Sequence, residues 1–311
     1  MTNITIGIDV SKDRLDAYRL PDGASAAFEN DRAGIGRLIR WIGAGVTRIV
    51  YEPTGSYHWA MERRLGDAGY PLVKVNPRQA RRFAEALGIL AKTDRIDAVM
   101  LTRMGCALEL EPRPLKTAVL HDLNDLQVAR RALVKDRTAA TNRAKRLALP
   151  LLKRQNAARL ARIEEDIAAI NQAIRAIIQA DADLAKRFAI LTSIPGVSEI
   201  TAAALIIMMP ELGCLDPRQA ASLAGLAPMT RQSGQWRGKT FIRGGRAALR
   251  QAVYMPALVA TRFNPDFKEK YRALREAGKP PKVAITAIMR KLVILANALI
   301  RDGRKWTPRA S

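Results

Sequence analysis

The chain has 311 residues, 48% of them hydrophobic, enough for two domains with sizeable cores, so a disordered protein is excluded. Lys and Arg number 52 against 29 acids, a formal net charge of +23, which makes a polyanionic partner the default expectation. With only two Cys and two His, a disulfide framework, a Cys/His zinc site and a His-based triad are all disfavoured.

A basic membrane-surface protein is the competing reading of the charge. The chain offers it no strongly amphipathic terminal helix and no lipidation motif. MTNITIGID lacks the basic start and apolar core of a signal peptide, and the most apolar long stretch, 283–300, is interrupted by Arg290 and Lys291. The expectations are a cytoplasmic location, no membrane, and buried free thiols at Cys106 and Cys214.

The first strand, 4–10, is an apolar β-branched run that carries one carboxylate, Asp9. A second strand follows at 14–19, turn chemistry at Pro21-Asp22-Gly23, and a third strand at 24–28. Ile35, Leu38, Ile39 and Ile42 at helical spacing predict a helix over 31–42. A strand at 49–51, a helix at 57–68, a strand at 72–75 and helices at 78–87 and 94–106 complete this part. Three successive strands, then strands alternating with helices, is the chain order of an α/β ribonuclease-H/RuvC-like fold. A doubly wound nucleotide-binding sheet is the alternative, but no G-x-G-x-x-G follows the first strand.

Four acids stand at telling places. Asp9 lies in an apolar strand, where a carboxylate is costly unless paired or metal-bound. Glu52 closes the strand ending at Tyr51, and Asp94 and Asp97 sit one helical turn apart. Carboxylates without His or Cys suit Mg²⁺, and two-metal cleavage of a phosphodiester needs such a set, with the ions roughly 4 Å apart. The plainer readings are that Asp94 caps a helix, Asp97 suits its first turn, and Glu52 is a solvated loop acid. Asp13 and Asp16 are expected to be turn and solvent-facing acids.

Two prolines, Pro112 and Pro114, mark a boundary before a long helical pattern. Val119, Leu123, Leu126, Arg130, Leu133, Arg137, Ala140, Ala144 and Leu147 form a heptad seam interrupted by two arginines. Pro150 breaks it, and Leu160, Ile163, Ile167, Ile170, Ile174 and Ile177 form a second seam. An antiparallel hairpin, an intermolecular coiled coil, or both are implied. Arg130 to Arg154 contains nine Lys or Arg and one acid, Asp136. A charge run is usually a solvated face, but this one barely mixes signs, so Arg130, Arg131, Lys135, Arg143, Lys145, Arg146, Lys153 and Arg154 are expected to meet phosphates.

Farther on, the run through Ser193-Ile194-Pro195-Gly196-Val197 reads as helix, tight turn, helix. It is either a helix-hairpin-helix phosphate contact or a simple αα turn. From Pro217 to Pro265 there is no acid and eight Lys or Arg. Arg237, Lys239, Arg243, Arg246 and Arg250 are the nucleic-acid candidates here. Ser233, before Gly234 in a polar loop among these cations, is either a turn residue or a nucleophile toward phosphorus.

Four ordered motifs carry a resemblance. Gly7-Ile8-Asp9-Val10-Ser11-Lys12, Glu52-Pro53-Thr54-Gly55-Ser56-Tyr57, Lys92-Thr93-Asp94-Arg95-Ile96-Asp97-Ala98 and Gly225-Leu226-Ala227-Pro228 with Ser233-Gly234 resemble the transposases of insertion-sequence family one hundred and ten. The resemblance spans about 4–258. It implies a RuvC-like DEDD domain (1–110), a coiled-coil, basic helical arm (111–182) and a mainly α-helical transposase domain (183–311). It implies Asp9, Glu52, Asp94 and Asp97 as catalytic metal ligands, about two Mg²⁺ per site, and Ser233 as the catalytic serine. It further implies donor and target DNA as substrates, a bridge-type guide RNA, and dimers that assemble into tetramers. Guided pairing would leave the protein mainly backbone contacts. Two rivals stay open, a RuvC-like Holliday-junction endonuclease acting by hydrolysis and a non-catalytic nucleic-acid-binding scaffold.

Overall fold

The computed structural model describes residues 3–89, 94–112 and 117–308, which fall into two compact units, Met1–Lys116 and Thr117–Ser311. The first is built on a five-stranded sheet of order β3-β2-β1-β4-β5. Its strands are β1 (Ile4–Val10), β2 (Arg14–Leu20), β3 (Ser25–Glu29), β4 (Val46–Tyr51) and β5 (Leu72–Lys74). β1, β2 and β3 are antiparallel neighbours, whereas β4 and β5 run parallel to β1. Helices α1 (Arg32–Ile42), α2 (Trp59–Asp67), α3 (Pro77–Ala86) and α4 (Asp94–Ala107) cover it.

Strand alternation sorts the side chains into two layers. Ile6, Ile8 and Val10 of β1 join Leu15, Ala17, Ile49 and Tyr51 in a core closed by Ile35 and Leu38 of α1 and Met61 and Leu65 of α2. On the other face Val50 and Val73 pack with Ala80 and Ala84 of α3 and Leu101 and Met104 of α4. The expected helix over 31–42 starts one residue later, because Asp31 is its cap and accepts from the Gly34 N–H.

The second unit is helical. Thr117 caps α5 (Ala118–Ala144), and Pro150 opens α6 (Pro150–Ala180) rather than merely ending its predecessor. The pairs Arg130–Asn171, Arg137–Glu164 and Ala140–Asn156 advance in opposite directions, so the two helices form an antiparallel hairpin. The arginines that interrupt the heptad seam are thereby explained. Arg130 Nε donates to Asn171 Oδ1 at 2.6 Å, and Arg137 reaches Glu164 at 3.3 Å.

α7 (Ala182–Thr192) and α8 (Glu199–Met208) are joined by the tight Pro195-Gly196 turn, which is backed by Pro256 and Ala260 of α11. There follow α9 (Pro217–Leu223), four two-residue strands, α10 (Ala247–Ala252), α11 (Tyr254–Phe263), α12 (Pro265–Glu276) and α13 (Pro281–Arg301). One core runs from Leu123 of α5 and Ile174 of α6 through Leu191, Leu205 and Leu249 to Ile288, Leu292 and Leu299 of α13. By length and composition α13 could cross a membrane, but half of its most apolar window is buried in this core. Both cysteines are free thiols, as expected, yet neither is buried. Cys106 is half-buried and Cys214 is exposed, because Leu212 takes the inward position in its turn.

Candidate functional site

In the first unit, strand register delivers acids to one end of the sheet. Gly7 of β1 lies opposite Val50 of β4 and Ile8 opposite Tyr51, so Asp9 and Glu52 leave their strands side by side. Alternation turns Thr5, Gly7 and Asp9, with Arg48, Val50 and Glu52, toward the face that α4 covers. Arg48 Nη1 confirms that direction by donating to the Gly105 carbonyl of α4 at 2.7 Å.

α4 runs antiparallel to β1. Ala98 and Thr102 press on Gly7, and Gly105 presses on Thr5 and Val50. Its first turn, Asp94 to Asp97, therefore arrives at the Asp9 end. A Cβ at Gly7 would stand 2.2 Å from the Ala98 carbonyl oxygen, so this close approach requires glycine. Asp9, Glu52 and Asp97 are all half-buried. Among the described residues no three acids, histidines or cysteines stand close enough to hold a metal ion. The Asp94 side chain lies outside the described residues, as do Lys92 and Thr93 of its motif. What the described residues supply at this sheet end is oxygen donors, which suit a hard divalent cation such as Mg²⁺.

A further acid stands there. Asp16, expected from the sequence to face solvent, is only 7% exposed and pairs directly with Asp9 across the β1–β2 ladder. Cross-strand partners share a face and like charges there repel. Arg14 offsets the charge, donating to Asp16 Oδ1 from Nη2 at 2.8 Å and from Nε at 3.1 Å. The signal was legible in β2, where Leu15 and Ala17 alternate into the opposite core. Asn30 is a second residue missed by motif reading. Its Nδ2 donates to the Ser11 carbonyl at 2.8 Å and the Tyr57 carbonyl at 3.0 Å, tying together the loops that follow Asp9 and Glu52.

Behind Glu52, Tyr51 points the other way, toward the buried His58 that precedes α2, the buried Glu62 of α2 and the exposed Lys74 of β5. Lys74 Nζ is 2.6 Å from Glu62 Oε2 and 3.3 Å from His58 Nε2. Burial, then the Glu62 carboxylate, raises the Tyr51 pKa, so the phenol stays neutral. Burial, then Lys74, lowers the His58 pKa from 6.5. The unfolded chain protonates His58 below about pH 6.5 while the folded chain resists it. Stability therefore falls with falling pH, by at most about 1.4 kcal/mol per pH unit from this residue. Denaturant melts at about pH 7 and about pH 5.5 check this, with His58→Phe expected to flatten the dependence.

In the second unit, Ser233 stands on a braced hairpin. β6 (Pro228–Met229) pairs with β9 (Phe241–Ile242), and β7 (Gln232–Ser233) with β8 (Trp236–Arg237), both antiparallel. Gly234 and Gln235 make the two-residue tip, with Gly234 at φ 56°. Ser233 is exposed. The hairpin's base is tight. A Cβ at Gly245 would stand 2.1 Å from the Gly225 nitrogen, and the Arg246 N–H donates to the Leu223 carbonyl at 2.9 Å.

The expected phosphate-binding cations divide into two groups. Arg246 grips both oxygens of Glu211 at 2.7 and 2.6 Å and the Met208 carbonyl at 2.7 Å. Arg250 donates to the Gly244 carbonyl at 2.9 Å, and Arg130 to Asn171. These three brace the fold. Arg131, Lys135, Arg143, Lys145, Arg146, Lys153, Arg154, Lys239 and Arg243 are exposed, and the Arg237 side chain lies outside the described residues. A cleft of about 890 Å³ runs between α5, α8 and α10, with Arg131 and Lys135 on its α5 wall.

A family model described as "Transposase IS116/IS110/IS902 family" matches residues 188–272, around the Ser233 hairpin. A DEDD transposase model of the IS110 type matches residues 6–150, across Asp9, Glu52, Asp94 and Asp97. The "Pilin gene-inverting protein" of Moraxella lacunata is 30% identical over 333 residues, covering 99% of this chain and 99% of that one. Its namesake in Moraxella bovis gives the same figures. The "Insertion element IS110 uncharacterized 43.6 kDa protein" of Streptomyces coelicolor is 34% identical over 123 residues, 39% of this chain and 30% of that one. With family models over 6–150 and 188–272 and a relative aligned from end to end, the chain belongs to the IS116/IS110/IS902 family of transposases.

Proposed function

We propose that the chain is the recombinase of an insertion sequence and cuts and exchanges DNA strands through a phosphoserine intermediate. One observation carries this reading: an exposed serine beside the tip of a braced hairpin, in a segment from Pro217 to Pro265 without a single acid. Ser233 Oγ attacks phosphorus. The Oγ–P bond forms as the hydroxyl gives up its proton, the bond from phosphorus to the leaving sugar oxygen breaks, and that oxygen takes up a proton, so the step is a balanced exchange of esters. Attack by a sugar hydroxyl of the other strand reverses the step and frees the serine. Lys239 and Arg243 balance the charge that gathers on the phosphate.

Asp9, Glu52, Asp94 and Asp97 would hold Mg²⁺ in a RuvC-like unit, a reading supported by three antiparallel strands followed by two parallel ones and by the oxygen donors at the sheet end. When bound, Mg²⁺ supplies charge neutralisation on the phosphate oxygens. A relative named for inverting a pilin gene supports rearrangement of DNA as the outcome. On this reading donor and target DNA are chosen by a bridge-type guide RNA, and the exposed cations of the 111–182 arm and the 183–311 domain meet backbone phosphates. Dimers pair into tetramers to hold two DNA ends, and the work is done in the cytoplasm.

Asp9→Asn tests the metal role. With element DNA, guide and Mg²⁺, adduct formation should fall by at least about a hundredfold, while DNA binding persists. An undiminished adduct in that variant would falsify the metal assignment. The acid-bearing sheet end also permits simple hydrolysis, which predicts that Asp9→Asn stops cleavage and Ser233→Ala does not.

A further inference from the structure

We propose that the Trp236 indole is a stacking platform for an unpaired base of the DNA strand that Ser233 attacks. The inference rests on the reading of the substrate as DNA. Ser233 and Trp236 are direct partners in the hairpin ladder, so their side chains leave the same face, with Cβ atoms about 5 Å apart. Trp236 is 59% exposed, an indole kept in water although its unit has a large core within reach of the chain.

The ring is seated rather than free. A Cβ at Gly238 would stand 2.4 Å from Cη2 and 2.8 Å from Cζ3 of Trp236, so glycine lets the indole lie down along the ladder. Gly238 N–H donates to the Arg231 carbonyl at 3.0 Å, and the Arg231 guanidinium lies over the Phe241 ring at 5.3 Å. A hydroxyl and a pinned indole thus stand on the β7–β8 hairpin, with a cation over the ring of Phe241 on the neighbouring β9. With no acid between Pro217 and Pro265, nothing in the segment repels a phosphate.

Each part has a use on one nucleotide. A nucleotide's base and its phosphate are adjacent, as Trp236 and Ser233 are. Duplex bases are already stacked on each other, so an exposed ring gains most from a base that has left its pair. Stacking tolerates any base because every base has a π-face, and removing such a platform weakens binding about 5- to 150-fold. The indole would hold the strand by its base while the hydroxyl addresses its phosphate.

The test uses the full chain and an oligothymidylate. Titration should quench tryptophan fluorescence equally in the parent and in Ser233→Ala. Trp236→Phe should lose most of the quench and stay within about threefold in affinity, because a ring remains. Trp236→Ala should lose the quench and bind about 5- to 150-fold more weakly, with the salt dependence unchanged because no phosphate contact is removed. Matching thermal melts show that each variant is folded. Parental affinity or a persisting quench in Trp236→Ala overturns the proposal, as does a flatter salt dependence, which would make the effect a phosphate one. Trp236-dependent binding of oligouridylate without oligothymidylate overturns it in favour of RNA. Adduct formation by Ser233→Ala would sink the nucleophile, a separate readout that leaves the quenching arm intact.

Discussion

Ser233→Ala is expected to abolish the covalent protein–DNA adduct, lowering its formation by at least about 10³-fold. On the proposed mechanism the change removes the attacking oxygen itself, so the loss should be of this size. The same change should leave stability within about 0.5 kcal/mol, since the side chain is exposed and the ladder is made by backbone groups. Denaturing gels of protein with labelled element DNA read the first effect, and thermal melting reads the second. An adduct of parental yield would move the attack to another side chain, whereas parental cleavage with no adduct would move the reaction to hydrolysis. A melt lowered by several degrees would instead mean that the hairpin had been damaged, and Ser233→Cys would then separate the two causes by keeping a nucleophile of similar size.

Gly7→Val should be the most destabilising of the changes considered. Local preference points the other way, because glycine weakens a strand interior and valine favours one, a difference of about 1 kcal/mol. Tertiary packing decides. A Cβ at position 7 would lie 2.2 Å from the Ala98 carbonyl oxygen, 2.5 Å from Thr102 Oγ1 and 2.6 Å from the Thr102 nitrogen. Two of these atoms are backbone, so α4 must move as a body. Thr102 would also lose its bonds to the Tyr18 and Ala98 carbonyls, at 3.1 and 2.8 Å. Overpacking of this kind costs about 1–3 kcal/mol, and the helix that shifts is the one that brings Asp97 to the Asp9 end. Both the denaturant midpoint and the adduct yield should therefore fall. A valine variant with the parental midpoint would show that α4 is not seated on β1 as described.

Much of the first unit was legible because its signals are local. β-branched runs and apolar residues at helical spacing act within a few residues, and the strands and helices appear close to where those signals put them, with Asp31 and Asn76 as caps of helices expected at 31 and 78. The α5–α6 hairpin was legible from two seams and a proline, and the structure shows the antiparallel branch of that expectation. Asp16 was misjudged because its partner is not a sequence neighbour. Only the β1–β2 register sets it against Asp9. Cys214 was misjudged because an apolar neighbourhood in sequence does not say which residue of a turn goes inward.

The cations show the same limit most plainly. Arg246 and Arg250 are indistinguishable in sequence from Arg243, all of them basic residues in an acid-poor run, and Arg130 differs from Arg131 only in standing on the heptad seam. Folding takes Arg130, Arg246 and Arg250 inward, to Asn171, Glu211 and the Gly244 carbonyl, and leaves Arg131 and Arg243 at the surface. By itself the sequence determined the chemistry available: carboxylates at the ends of two apolar strands in a chain with two His and two Cys, a serine before a glycine, and an excess of positive charge. The tertiary structure alone decided which groups share a face, because register, helix direction and close backbone approach are set by residues far apart in the chain. It turned Asp9, Asp16 and Glu52 toward α4, and it put Ser233 beside Trp236 on the hairpin.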